Sequence, residues 1–288
     1  MTSPDAPQAR RPWDCHVHVF GPPARYPFAA DRTYTPNSAW LDALAGHRRR
    51  IGAGQLVLVQ ASPYGTDNRC LLDALTALAG TARGVVIPAT DVAPADLQTM
   101  RELGVRGIRL HEAVLPAQGF ASAAGAHRHF AAVADELGLH FELNALTFQP
   151  DPIARMLDQG DAPIVLDHFA ALDPGAEDFA RAFDRLRRLL DTGRVWVKFS
   201  GAYRLSTRSA EAVAGLTRDL FAAAPGRCVW GSDWPHTPER DVAGFRVDDV
   251  TAFQPIDSPR LLADVAAALP DDLARRALLV DNPGRLYR

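Results

Sequence analysis

The sequence predicts an α/β protein folded as a single-domain (β/α)8 TIM barrel, and three observations carry that reading. Short apolar runs of strand length alternate with helical patterns eight times. Several of the runs are continuously apolar, as strands buried on both faces must be. The rhythm leaves no gap for a second core, and 288 residues lie within the range of one such barrel. A doubly wound open sheet is the competing architecture, but it calls for a Gly-rich turn after the first strand, and none is found there.

Each element has its own warrant. Residues 1–11 are polar, contain Pro and have no apolar run behind Arg10 and Arg11, so they are expected to be a disordered tail, with the barrel over 12–288. Residues 12–20 are extended and stop at Gly21-Pro22-Pro23; Asp14, His16 and His18 are two apart, which in a regular strand puts them on one face. The stretch 21–37, rich in Pro, Tyr and Phe, is too long for a plain connector. A helix is expected over 38–50, then a buried strand over 55–60. Asp67 is expected to cap a helix carrying Leu71, Leu72, Leu75 and Leu78. Strands follow at 84–89, 105–110, 139–144, 164–167, 195–200 and 228–232. The helices between them open at Pro94 and cover about 123–137, 152–157, 176–191 and 207–224.

Composition narrows the function classes. Charged residues at 23%, apolar residues at 47% and a formal net charge of -3 describe a soluble globular chain without a basic surface for nucleic acid. No window approaches the ~20 apolar residues of a membrane span. Cys15, Cys70 and Cys228 are odd in number and far apart, which fits neither a disulfide framework nor a cysteine zinc site. A cytoplasmic protein acting on a small molecule is the expectation, with homo-oligomerisation left open.

In a barrel of this kind the active site lies at the C-terminal ends of the strands. Those ends supply His16 and His18, Gln60 and Ser62, Arg109 and His111, Glu142 and Asn144, His168, Lys198 and Ser200, and Asp233. Two histidines on one face are desolvated together, which is tolerated around a metal, an anion or a reacting group. Lys198 reads equally well as an ion-pair partner inside the barrel. Gly231 lets the backbone pass close to a neighbour, and Asp233 stands at the tip of a rigid strand.

Asp14-Cys15-His16-Val17-His18, Asp167-His168 and Gly231-Ser232-Asp233-Trp234-Pro235-His236 resemble the amidohydrolase superfamily. Within it, the run from His16 to Pro22, Tyr34-Thr35-Pro36, the run from Gly104 to Arg109, and Asp281-Asn282-Pro283 with Arg285-Leu286-Tyr287 are similar to the 2-pyrone-4,6-dicarboxylate lactonase group. The resemblance implies lactone hydrolysis, with Asp233 activating water and His16, His18 and His168 polarising the carbonyl. It implies a substrate carboxylate bound by Arg106, Arg109 or Arg204, because guanidinium grips carboxylates bidentately. Tyr34, Gln60, Ser62, Asn144 and Tyr203 are the polar supports.

Metal-dependent members of that superfamily place a histidine at the end of the fifth strand. Here His140 stands at the start of that strand and Asn144 at its end, so a metal-free site is expected. The alternative is one zinc held by His16, His18, Asp233 and Glu142, serving a decarboxylase or a sugar or muconolactone lactonase. A barrel that only binds a small acid is the non-enzymatic alternative. The lactonase group follows its sixth-strand histidine with a short Gly-Arg segment, whereas Phe169-Ala170-Ala171-Leu172 stands here and Glu112 sits at the fourth-strand exit. That departure points to a different lactone, monocarboxylated or sugar-derived.

Overall fold

In a computed structural model describing residues 11–144, 148–205, 209–238 and 246–288, the chain forms the expected (β/α)8 barrel. The strands are β1 Trp13–Val17, β2 Gln55–Val59, β3 Ala82–Val86, β4 Val105–His111, β5 His140–Asn144, β6 Ile164–Leu166, β7 Val195–Phe199 and β8 Cys228–Trp230. They pair in parallel and in chain order. Outside them run α1 Leu41–Ile51, α2 Arg69–Ala77, α3 Pro94–Glu102, α4 Ala123–Leu137, α5 Pro150–Leu157, α6 Phe179–Leu190, α7 Ala210–Ala223 and α8 Ser258–Ala268. All of the expected tail except Arg11 falls outside the described residues. No helix among the described residues is long and apolar enough to cross a membrane.

Apolar side chains bury in two places. A large cluster fills the space between strands and helices, and a smaller one fills the lower barrel interior with Cys15, Val57, Val85, Val165, Val229 and Tyr287. Tyr287 arrives from the C-terminal helical segment and stacks on Trp13 at a centroid distance of 6.0 Å, plugging the end where the strands begin.

The β8–β1 seam is closed by one bridge, Val17 to Trp234, rather than by a continuous ladder. Asp233 N donates to the His16 carbonyl (2.9 Å) and His18 N to the Trp234 carbonyl (2.8 Å). Gly231 makes this approach feasible, since a Cβ there would lie 2.5 Å from His16 Cβ.

The seam also corrects the reading of the first strand. Asp14 pairs with Leu56 and Val17 with Leu58, so two residues of β1 oppose one of β2, which is a β-bulge. The bulge shifts the side-chain alternation: Cys15 joins the barrel interior, and His16 follows it inward. Asp14 instead leaves that face. Its Oδ1 accepts from Ser232 N (2.8 Å) and its Oδ2 lies 2.9 Å from Nε2 of His47 on α1, so it braces the seam from outside. Asp67 caps α2 as expected, its Oδ1 accepting from Arg69 N (3.1 Å), the first N–H of that helix, while the amide of Asn68, the residue between them, ties the β3 exit at Ile87 N and O (3.0 and 2.8 Å).

The long stretch after β1 is held down. Thr35–Pro36 pairs with Val250–Thr251, and Arg32 reaches Asp248 at 2.7 Å.

Candidate active site

His16 and His18 enter the mouth from β1, Asp233 from the turn after β8, and His168 from the end of β6. Asp233 has φ 62°, a left-handed conformation that Asp tolerates better than most residues. The whole turn His168–Ala171 is left-handed, with φ between 50° and 59°. Phe169 anchors that turn by stacking on Phe199 at 5.1 Å, and Ser200 holds its first residue, with Oγ 3.0 Å from His168 Nδ1 and accepting from His168 N at 3.3 Å. A Cβ on Gly201 would meet His168 Nδ1 at 2.7 Å, so glycine is needed beside it.

These side chains converge. Asp233 Oδ1 lies 3.6 Å from His16 Nε2 and 3.5 Å from His18 Nε2, and the His16 and His168 rings are 5.1 Å apart. The other oxygen, Oδ2, accepts from Tyr203 Oη (2.7 Å) and Arg204 Nε (2.6 Å). Burial alone would raise the Asp233 pKa, but Arg204 and the histidines around it hold it well below the usual carboxylate range. Burial lowers His18 to about 4 and His168 to about 3, so both are neutral near pH 7. Since a carbonyl only accepts, the 2.8 Å contact between His18 Nδ1 and the Val59 carbonyl puts the His18 proton on Nδ1. Nε2 of His18 therefore turns a lone pair toward Asp233.

Beneath the mouth lies a fully buried charge layer. Lys198 is hydrogen-bonded to Glu142 Oε2 and lies 3.3 Å from Asp167 Oδ1 and 3.3 Å from His16 Nδ1. Arg109 donates to the Gln60 carbonyl (2.7 Å) and reaches Asp167 Oδ2 at 3.4 Å. Two cations thus balance two carboxylates. Against the opposing effect of burial, Lys198 draws Glu142 below its ordinary value and Asp167 well below, while both acids raise Lys198. The ion-pair reading of Lys198 holds.

The expected binding residues divide. Tyr203 and Arg204 are at the mouth, bonded to Asp233, and buried Tyr34 lies close enough to Arg204 to feel its charge. Arg109 is inside but in the charge layer. Asn144 ends β5 opposite His111. Gln60 turns its amide to the carbonyls of Gly65 and Asp67, and Ser62 begins the short turn Ser62–Tyr64 that precedes them. Arg106 is not brought to the site: its guanidinium donates to the carbonyls of Arg288, Arg101 and Val105, at the end where the strands begin. Sequence reasoning placed Ser200 at a strand end and Asp167 in a motif but assigned a role to neither. A signal for both existed, since each is a polar residue at a strand end whose side-chain parity points inward.

Among the described residues, the donor sets that could hold a divalent cation both include His16. Ligand atoms of His16, His18 and Asp233 all lie within 4.8 Å of one another, and His16 Nε2 is buried without a hydrogen-bond partner. His16, Asp167 and His168 form a second such group. Glu142 cannot complete the first: it approaches His16 from the Nδ1 side, at 3.8 Å, and is engaged by Lys198.

Comparison with known proteins is consistent with this geometry. The family model described as Amidohydrolase matches residues 13–288. A 4-sulfomuconolactone hydrolase of Hydrogenophaga intermedia is 34% identical, covering 96% of this chain and 88% of that protein. A 2-pyrone-4,6-dicarboxylate hydrolase of Comamonas testosteroni is 31% identical, with 99% and 93% covered. Among solved structures, a candidate 2-pyrone-4,6-dicarboxylic acid hydrolase of Pseudomonas putida superposes with a TM-score of 0.79 at 33% identity, over 96% of this chain and 97% of that one.

Proposed function

The chain belongs to the amidohydrolase family, and on that premise we propose that it hydrolyses the ring ester of a small carboxylated lactone. The observation that carries this reading is the convergence of Asp233 Oδ1 on His16 Nε2 and His18 Nε2 at 3.5–3.6 Å, at the barrel end where such enzymes react. Asp233 Oδ1 accepts a proton from water as the water oxygen adds to the carbonyl carbon. The tetrahedral intermediate then collapses, the ring C–O bond breaks, and the proton held on Asp233 passes to the departing oxygen. His168 is placed to donate to the carbonyl oxygen when the Ser200 hydroxyl donates to its Nδ1, which leaves the proton on Nε2. His16 does the same when Lys198 donates to its Nδ1.

His18 differs from the sequence-based expectation. With its proton committed to Val59, it accepts rather than donates, so it orients water and does not polarise the carbonyl. A carboxylate held as low as Asp233 is a weak base while Arg204 is on it. Arg204 turning to the substrate carboxylate restores basicity at the moment of binding.

One observation favours a second reading. If His16 places its proton on Nδ1 toward Asp167 Oδ1, 3.3 Å away, its Nε2 becomes a second lone pair facing Asp233. His16, His18 and Asp233 would then hold a divalent metal such as zinc, which would polarise the carbonyl and acidify bound water.

Asp233→Asn should lower lactone opening by about 10²–10⁴-fold and leave cooperative melting in place; full activity in that variant would sink the mechanism. Metal analysis of the purified protein with activity after chelation decides between the two readings. A barrel that only binds acids is supported instead if no lactone of a broad panel opens while a carboxylate raises the melting temperature.

A further inference from the structure

We propose that His47, on the outer helix α1, is a positioning residue for ring opening: through Asp14, Ser232 and Trp234 it fixes where Asp233 stands relative to His16 and His18. This rests on the lactonase reading for the reaction, and on the β8–β1 seam for the geometry.

The seam is where the acid and the two first-strand histidines must be brought into register, and its backbone is joined by a single bridge. Side chains supply what a continuous ladder would. Asp14 Oδ1 accepts from the N–H of Ser232, the residue before Asp233, at 2.8 Å, and from the N–H of His16 at 3.3 Å, so one oxygen joins the two strands. The other oxygen, Oδ2, lies 2.9 Å from His47 Nε2. A carboxylate accepts, so the proton between them belongs to His47. The same Nε2 is 3.2 Å from Ser232 Oγ, which in turn accepts from Trp234 N at 3.0 Å. The imidazole also stacks on the Trp234 ring, at 5.3 Å with 20° between the planes. His47 thus touches both chain neighbours of Asp233 and, through Asp14, holds the backbone of His16.

Packing does not explain the choice of residue. Leu44, His47 and Ile51 form the buried stripe of α1, where an aliphatic side chain is the ordinary occupant. Asp14 is fully buried too, so both groups are desolvated together at the back of the site. What the pair supplies is orientation. The reacting contacts are loose, with Asp233 Oδ1 3.6 Å from His16 Nε2 and 3.5 Å from His18 Nε2. A displacement of about 1 Å at such a centre costs on the order of 10²-fold in rate. The bonds that a loosened seam gives up are Asp233 N to the His16 carbonyl and His18 N to the Trp234 carbonyl.

The test compares His47→Phe, which keeps a ring against Trp234 but has no donor, with His47→Gln, whose Nε2 reaches the place of the imidazole Nε2. Turnover is followed on whichever of 2-pyrone-4,6-dicarboxylate, muconolactone and gluconolactone the wild type opens fastest. His47→Phe is expected to lower kcat by about 10–10²-fold with KM within about twofold, and His47→Gln to stay within about threefold of wild type. Amide hydrogen exchange needs no turnover: the N–H groups of Asp233 and His18 should exchange at least about tenfold faster in His47→Phe and at the wild-type rate in His47→Gln. Unchanged kcat or unchanged exchange in His47→Phe overturns the proposal, as does a rise in KM alone. So does a His47→Gln protein that is as slow as His47→Phe or does not fold. If His47→Phe does not fold, His47→Asn, whose amide stops short of Asp14, takes its place with the same expectations; if neither folds, the role is structural and the proposal falls. Faster exchange where the wild type opens no lactone removes the lactonase reading and leaves the seam assignment. Lactone opening with unchanged kcat in His47→Phe removes the assignment and leaves the lactonase reading.

Discussion

The barrel interior has two layers made by the same strands, two residues apart. On β6 and β7, Val165 and Trp196 are followed inward by Asp167 and Lys198, and on β1 Cys15 is followed, through the bulge, by His16. The lower layer is mainly hydrocarbon closed by Tyr287, with buried His140 packed edge-on against that ring at 5.4 Å, and packing dominates its stability. The upper layer is a set of buried charges that need one another, since each alone would be strongly disfavoured in the interior. One strand register thus serves a floor that can be repacked and a mouth that cannot lose a single member.

Variants of the two layers should separate in that way. Lys198→Met leaves Glu142 and Asp167 without their shared cation, and should cost about 3–5 kcal/mol of stability in denaturant melts. Adding Glu142→Gln should recover part of that loss; no recovery would show that the layer does not act as a unit.

Acid should also find the upper layer. His18 has its pKa lowered from 6.5 to about 4, so the unfolded chain takes up a proton that the folded one refuses. Stability is therefore complete above about pH 6.5 and falls as pH drops toward 4, by about 3 kcal/mol for this residue at ~1.4 kcal/mol per pH unit. His236, also near 4, adds to the same window. Asp167, held low by Lys198, loses its contribution only at still lower pH. Melting temperatures that stay level from pH 7 to 5 would contradict buried neutral histidines.

Val165→Ala, in the lower layer, should cost about 2 kcal/mol while leaving kcat/KM within about twofold. A large loss of turnover there would erase the distinction between the layers. The smallest effect is expected at the turn that frames the mouth: Ala170→Gly relieves a left-handed alanine and should stabilise by at most about 1 kcal/mol, read as a small rise in melting temperature.

Much of the site was legible in the sequence because barrel strands present their C-terminal ends in one plane. Asp233, His16, His18 and His168 could be named from strand ends alone, and so could Lys198 as an internal partner. Asp14 could not be placed, because an extra residue in one strand is invisible to a rule of alternation, and the bulge sends Asp14 to His47. Arg106 and Arg109 look equivalent in sequence, yet three residues along a strand change both side and height, leaving Arg106 with the C-terminus.

Periodicity, strand length and the order of polar residues at strand ends determined the barrel and the residues gathered at its mouth, since these follow from local backbone geometry. Which proton each histidine carries, which acid Lys198 holds and that Arg204 lies on Asp233 were decided only by the tertiary structure. Those properties depend on distances between strands far apart in the chain, and electrostatics in a buried site depends on distance and desolvation more than on the identity of the residues.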